Sequence, residues 1–222
     1  MRLGIFGGTF DPVHFGHLVL AEQCREQCQL DEVWFVPAAV PPHKRETPIT
    51  PGKQRVEMLE LALAGMPQFK ISDIELKRTG LSFTVETLAA IAANRPDDEL
   101  YLLIGADSLN DFPTWREPER IAELAAIVAV NRGEPSSVDK AAACKSLGET
   151  ISSRVQFVTM PGIAISATDL RNRVSSGRSL RFLVPRAVEE YIVQHELYRN
   201  AVAETAVSST EKSAAGCHSS GS

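Results

Sequence analysis

The sequence predicts an α/β protein: a doubly wound parallel sheet with helices on both faces, in a single domain. Three observations carry this reading. Short apolar, β-rich runs recur along the chain, and helical patterns fall between many of them. The runs are continuously apolar rather than alternating, as strands buried on both faces must be.

The elements follow in order. Residues 3–7 read as a first strand, and Gly7 and Gly8 after it let the backbone turn without side-chain obstruction. A helix is expected over 16–29, a second strand over 32–37 and a second helix over 52–64. Residues 69–74 read as a strand, 84–94 as a helix and 100–105 as a strand. Strands over 127–131 and 155–159 flank a helical pattern over 137–147. A closing helix runs from Pro185, a favourable first helical residue, to His195. This places the domain at 1–199. Residues 200–222 are rich in Ala, Ser and Thr, lack aromatics, and predict a disordered tail that cannot bury a core.

At 222 residues, 44% hydrophobic and 23% charged, the chain has the composition of a globular domain. A net charge of −5 argues against general affinity for nucleic acid, although a local basic pocket can still bind a small anion. No apolar run approaches the ~20 residues of a membrane span. Met1-Arg2 leads straight into the first strand, so no signal peptide is expected. Cys24, Cys28, Cys144 and Cys217 lack zinc-finger or redox spacing, and Cys24 and Cys28 suit a helix core face. A reduced, cytoplasmic protein is expected.

The most informative segment is Gly7-Gly8-Thr9-Phe10-Asp11-Pro12-Val13-His14-Phe15-Gly16-His17. Strand, glycine turn and helix start form a phosphate-receiving geometry, because free N–H groups and the positive dipole end converge there. His14 and His17, three apart at the helix start, would add donors beside a phosphate; a purely structural or exposed pair is the alternative. Neither a Walker loop nor Gly-x-Gly-x-x-Gly is present.

Four further segments add to it. In Ile165-Ser166-Ala167-Thr168-Asp169-Leu170-Arg171, a capping box accounts for Ser166 and Asp169. It does not account for Arg171, a cation one turn into a helix, which makes sense beside an anion. Pro41-Pro42-His43-Lys44 reads either as a stiff surface turn or as a loop laying Lys44 over phosphates. Ile104-Gly105-Ala106-Asp107 precedes Phe112-Pro113-Thr114-Trp115-Arg116, where Trp115 is either core or a stacking platform for a flat ring. Ser82-Phe83-Thr84 reads as a helix start with Thr84 as N-cap, which serves the helix alone or also captures a carboxylate.

Together these segments resemble the T/HxGH nucleotidylyltransferase superfamily, whose signatures are Gly-x-Phe-Asp-Pro-x-His-x-Gly-His and Ile-Ser-x-Thr-x-x-Arg. Within it they resemble the bacterial nicotinate-nucleotide adenylyltransferase family, from Met1 to about Arg199. The resemblance implies a Rossmann-like fold and an enzyme of NAD biosynthesis. That enzyme would transfer AMP from ATP to nicotinate mononucleotide, with Mg²⁺ bound mainly through the ATP phosphates and no protein metal site. Gly7, Gly8, Thr9, Phe10, His14, His17, Ile165, Ser166, Thr168 and Arg171 would surround ATP, and Gly105 and Asp107 would hold its ribose. Lys44, Phe83, Thr84, Trp115, Arg116 and Arg132 would bind the mononucleotide. His14, His17, Lys44 and Arg171 would carry the catalysis. The chain departs from the family at Ala38 and Ala39, where many members have asparagine. A hydrogen bond to the mononucleotide phosphate is therefore missing there or supplied by backbone. The alternatives are nicotinamide mononucleotide or pantetheine phosphate as acceptor, and a non-catalytic nucleotide-binding regulator. A metal module of His14, His17 and His43 lacks carboxylate or cysteine partners nearby.

Overall fold

A computed structural model describes residues 1–39, 49–78, 80–133 and 147–199. Its six strands are β1 (Arg2–Gly8), β2 (Glu32–Pro37), β3 (Phe69–Ile71), β4 (Glu99–Gly105), β5 (Ala125–Arg132) and β6 (Val155–Met160). They form one sheet in the order β3-β2-β1-β4-β5-β6, with every neighbouring pair parallel. The order reverses direction between β1 and β4. In doubly wound sheets that reversal opens a crevice at the carboxyl ends of the strands.

The helices are α1 (Phe15–Gln27), α2 (Gly52–Leu63), α3 (Thr84–Asn94), α4 (Ala106–Asp111), α5 (Pro118–Leu124), α6 (Gly148–Ser152), α7 (Ala167–Ser175) and α8 (Arg186–Gln194). They cover both faces. Side chains of a strand alternate between faces, so Phe6, Tyr101, Leu103, Val128 and Val130 pack in one core with residues of α1, α2 and α8. Leu3, Ile5, Leu100, Leu102, Ile127 and Ala129 pack in the other with residues of α3 and α5. Cys24 and Cys28 are buried in the first core, as their spacing predicted, and burial pushes both thiols up from their ordinary range.

Several expectations change. The third strand ends at Ile71, and Ile74 lies in a turn. Gly7 and Gly8 belong to β1, so the turn begins at Thr9. Two short helices, α4 and α5, occupy the stretch between β4 and β5 for which the sequence pattern predicted no element; each is only 6–7 residues, too short to show a periodicity. The helix expected over 137–147 lies outside the described residues except for Leu147, as do Cys144, Cys217, the loop of His43 and Lys44, and the tail over 200–222. Among the described residues, no helix is long and apolar enough to cross a membrane.

Candidate active site

The carboxyl ends of β1, β2 and β4 carry Gly7, Gly8, Val36 and Ile104, which line a cavity of about 170 Å³ together with Glu75, Ser82, Thr84, Thr87 and Trp115. An adjoining cavity of about 740 Å³ is lined by Ser82, Phe83, Thr84, Asp111, Trp115 and Arg116. Ser82, Thr84 and Trp115 face both. The joint space is of the size that receives small-molecule ligands.

From Gly8 the chain turns into α1. Phe10 takes φ 49°, and its ring is 1% exposed, edge-on to Phe6 at 5.4 Å. Its side chain is therefore core, and any contact of Phe10 with a nucleotide falls to its backbone. Gly8 is required here, since a Cβ would come 2.8 Å from the Phe10 ring. His14 is the N-cap of α1 and His17 sits at N3. Their rings stack at 3.7 Å between centroids. His17 Nδ1 accepts the His14 backbone N–H at 3.3 Å. An accepting Nδ1 carries no proton, so the neutral ring bears its proton on Nε2 and is a donor there. A Cβ at Gly16 would approach His14 Nδ1 to 3.0 Å. The glycine between the two histidines is thus a steric consequence of the buried His14 ring.

The second signature reaches this turn from the far end of the chain. Ser166 caps α7, its Oγ accepting from the Asp169 N–H at 3.1 Å, as the capping reading expected. Arg171 Nη1 donates to the Asp11 backbone carbonyl at 2.7 Å, and Nη2 to Thr168 Oγ1 at 3.3 Å. The partner of this cation is therefore a carbonyl of the first signature. Ser166 and Thr168 are exposed at the helix start, and Ile165 is half-buried.

Three residues central to the geometry had no role assigned from the sequence, although Asp11 lies within the first signature. Asp11 is 2% exposed; its carboxylate accepts from the Thr50 N–H at 3.2 Å and the Tyr198 hydroxyl at 2.6 Å. Arg55, also 2% exposed, donates to the carbonyls of Thr50 at 2.9 Å, Thr9 at 2.8 Å and Ala38 at 2.8 Å. Burial pulls its guanidinium below the usual arginine range, against the opposing effect of Asp11. A signal existed: Arg55, Met58, Leu59 and Ala62 stand at i, i+3, i+4 and i+7 on the buried face of α2. Glu75 is buried in the smaller cavity and accepts from Thr87 Oγ1 at 2.8 Å. Burial pushes its carboxyl up, while Thr87, Ser82, Arg78 and the Ala39 N–H favour the charged form.

At the other end of the cavities, Phe83 rather than Thr84 is the N-cap of α3, and Thr84 is its first helical residue. Trp115 follows a 3-10 turn over Phe112–Thr114 and lies 5.2 Å from the buried Phe112 ring. It serves as core on one side and cavity wall on the other. Arg116 lies over the Phe83 ring at 4.6 Å and pairs with Glu86 at 2.9 Å, so its charge is already countered. Gly105 caps α4 and Asp107 is exposed in its first turn, at the end of β4. Arg132 is the last residue of β5; its side chain and the whole of Lys44 lie outside the described residues.

Residues 5–173 match the family model for cytidylyltransferase-like proteins. The chain is 48% identical over 203 residues to the "Probable nicotinate-nucleotide adenylyltransferase" of Thermomicrobium roseum, covering 91% of this chain and 94% of that one. It is 46% identical over 200 residues to a protein of the same name from Thermus thermophilus, covering 90% of this chain and 100% of that one. Its fold is similar to that of a Plasmodium falciparum nicotinic acid mononucleotide adenylyltransferase complexed with NaAD. The TM-score there is 0.73 at 18% identity, covering 89% of this chain and 97% of that one, a likeness that shows the fold. The chain belongs to the cytidylyltransferase-like family and, within it, to the nicotinate-nucleotide adenylyltransferases.

Proposed function

We propose that this site transfers the adenylyl group of ATP to nicotinate mononucleotide, giving nicotinic acid adenine dinucleotide and pyrophosphate. The observation that carries the reading is the Arg171–Asp11 bond, which draws a second helix start and a guanidinium to the paired histidines, beside a cavity walled by Trp115. The name of these relatives, which specifies a nicotinate nucleotide as substrate, supports it.

His14, His17 and Arg171 are assigned to the ATP phosphates, with Lys44 joining them from its loop. Thr9, Ser166 and Thr168 supply further donors. Gly7, Gly8 and the backbone of Phe10 and Ile165 shape the groove, and Gly105 and Asp107 hold the ATP ribose. Phe83, Thr84, Trp115, Arg116 and Arg132 are assigned to the mononucleotide. Trp115 stacks on its ring, and the N–H groups at the start of α3 meet its carboxylate.

The chemistry needs little from the protein beyond placement. The mononucleotide phosphate, with a second pKa near ~6, is largely dianionic at neutral pH and is already a nucleophile. Its oxygen forms the new bond to the α-phosphorus of ATP as the bond to the β-phosphate oxygen breaks, and pyrophosphate leaves with that electron pair. No proton has to move. The barrier lies in bringing two anions together and in the charge that develops on α-phosphate and pyrophosphate. Positioning and preorganised donors lower it. The His17 Nε2–H fits a donor role rather than a base.

The donors gathered in the turn are N–H groups and cations, and the carboxylate of Asp11 is already taken by Thr50 and Tyr198. Such a set suits phosphate oxygens. Mg²⁺ would therefore be bound through the triphosphate's own oxygens and water rather than by protein ligands, and would supply charge neutralisation there. A cytoplasmic setting, with reduced thiols, fits the buried Cys24 and Cys28.

The test supplies ATP, Mg²⁺ and either nicotinate or nicotinamide mononucleotide and measures pyrophosphate release. Release with the acid form, much faster than with the amide, is expected. Release with the amide alone would replace the acceptor, and no release with either would overturn the reading.

A further inference from the structure

The end of the described fold reaches back into the phosphate turn. Helix α8 stops at Gln194, and its last turn closes with the Leu197 N–H donating to the Ile192 carbonyl at 3.0 Å. The chain then adopts left-handed backbone at Glu196, φ 53°, and again at Tyr198, φ 64°. A residue with a bulky side chain rarely takes that conformation, and it persists where contacts hold it. The contact here is the 2.6 Å bond from the Tyr198 hydroxyl to Asp11 Oδ1, which joins residues 187 apart in sequence. Tyr198 also packs against the core that includes Phe10 and Leu170, the residues next to Asp11 and Arg171.

Asp11 is the point where these contacts converge. Phe10 before it is itself left-handed, at φ 49°. One carboxylate oxygen takes Tyr198, the other takes the Thr50 N–H, and the backbone carbonyl takes Arg171. With only 2% of Asp11 exposed, water does not replace a lost partner readily. Burial and the neighbouring carboxylate push the Tyr198 phenol above its ordinary range, so it stays a donor.

We propose that Tyr198 is a positioning residue for ATP: its hydroxyl fixes Asp11, and Asp11 fixes the guanidinium of Arg171. This rests on the assignment of Arg171 to the ATP phosphates. It makes the C-terminal segment, beyond the two signatures, part of the nucleotide site without touching the nucleotide.

The experiment uses the full chain carrying Tyr198→Phe, which keeps the ring and removes the hydroxyl. Binding of MgATP is measured by calorimetry without mononucleotide, at a temperature where circular dichroism shows both proteins folded. The dissociation constant is expected to rise about tenfold, the scale of one hydrogen bond to a charged group. The KM for the mononucleotide should stay within twofold. In an Arg171→Lys background the same change should add less than twofold, because its effect is transmitted through that guanidinium. An unchanged MgATP affinity overturns the proposal, whatever happens to the melting temperature. So does an equal loss for both substrates, or a full tenfold effect in the Arg171→Lys background. Because MgATP binding is read without an acceptor, a wrong acceptor leaves the result interpretable. A chain that binds MgATP but releases no pyrophosphate overturns the functional reading alone.

Discussion

The two ends of the site are built differently. At the β1–α1 turn the polar groups are already bonded inside the protein: Arg55 to three carbonyls, Asp11 to Thr50 and Tyr198, Arg171 to Asp11 and Thr168. At the start of α3 the half-exposed Phe83, Thr84 and Trp115 wall open space, and the buried, mutually bonded Glu75 and Thr87 line the smaller cavity. The difference follows from what each end is assigned to bind. A triphosphate brings concentrated charge, and donors fixed in advance stabilise it without reorganising during the reaction. A ring and its ribose bring surface, which a cavity with one aromatic wall receives. Substitutions at the turn should therefore act on ATP binding, turnover and folding, and substitutions at the cavity on the KM of the mononucleotide.

The largest expected effect is at His17. His17→Ala removes the Nε2–H donor and should lower kcat by ~10²–10³, the range for losing one preorganised donor. Circular dichroism should show the fold retained. Near-normal turnover in a folded variant would remove His17 from the phosphate contacts and weaken the contrast between the two ends.

Next comes Arg55→Met, which keeps much of the volume on the buried face of α2 but leaves the carbonyls of Thr9, Ala38 and Thr50 without their donor. Each of these hydrogen bonds from a charged donor is worth about 1.5–3 kcal/mol, so denaturant unfolding should register a loss of at least about 3 kcal/mol. A loss under about 1 kcal/mol would mean that the turn does not depend on Arg55.

Trp115→Ala should raise the KM for nicotinate mononucleotide about tenfold, the scale of one aromatic stacking contact, and leave the KM for ATP nearly unchanged. Parallel changes in both constants would show that Trp115 acts through the core contact with Phe112 instead.

The smallest effect is a pH dependence at Glu75. Its carboxyl sits above the usual range because burial disfavours the charge. Ionisation therefore costs the folded state more than the unfolded one. That penalty is absent below the ordinary carboxylate pKa and grows as pH rises through and above it. Glu75→Gln cannot ionise and keeps an acceptor for Thr87. The melting temperature of the variant minus that of the parent should accordingly increase between about pH 4 and about pH 7. A difference independent of pH would place Glu75 outside this linkage.

Much of this was legible in the chain itself. Continuous apolar runs separated by helical patterns specified a parallel sheet covered on both faces, because burying such runs on one face only would leave the other wet. The two signatures pointed to the candidate site, since one follows the end of β1 into the start of α1 and the other begins α7. Local chemistry also decided details: Ser166 caps α7 because its hydroxyl reaches a free N–H three residues on.

What the chain did not reveal is long-range. Whether Arg171 met an anion or a carbonyl depended on where Asp11 lay, 160 residues away in sequence. The Phe10 ring was indistinguishable from a ligand contact until Phe6 and Phe35 closed around it. The helical spacing of Arg55 with Met58, Leu59 and Ala62 could place it on a buried face, but only the packing of α2 against the β1–α1 turn supplied the three carbonyls that it bonds. Sequence determines local periodicity and capping because those interactions span a few residues. The partners of buried charges are chosen by the fold, since only the assembled interior brings distant groups together and excludes the water that would otherwise satisfy them.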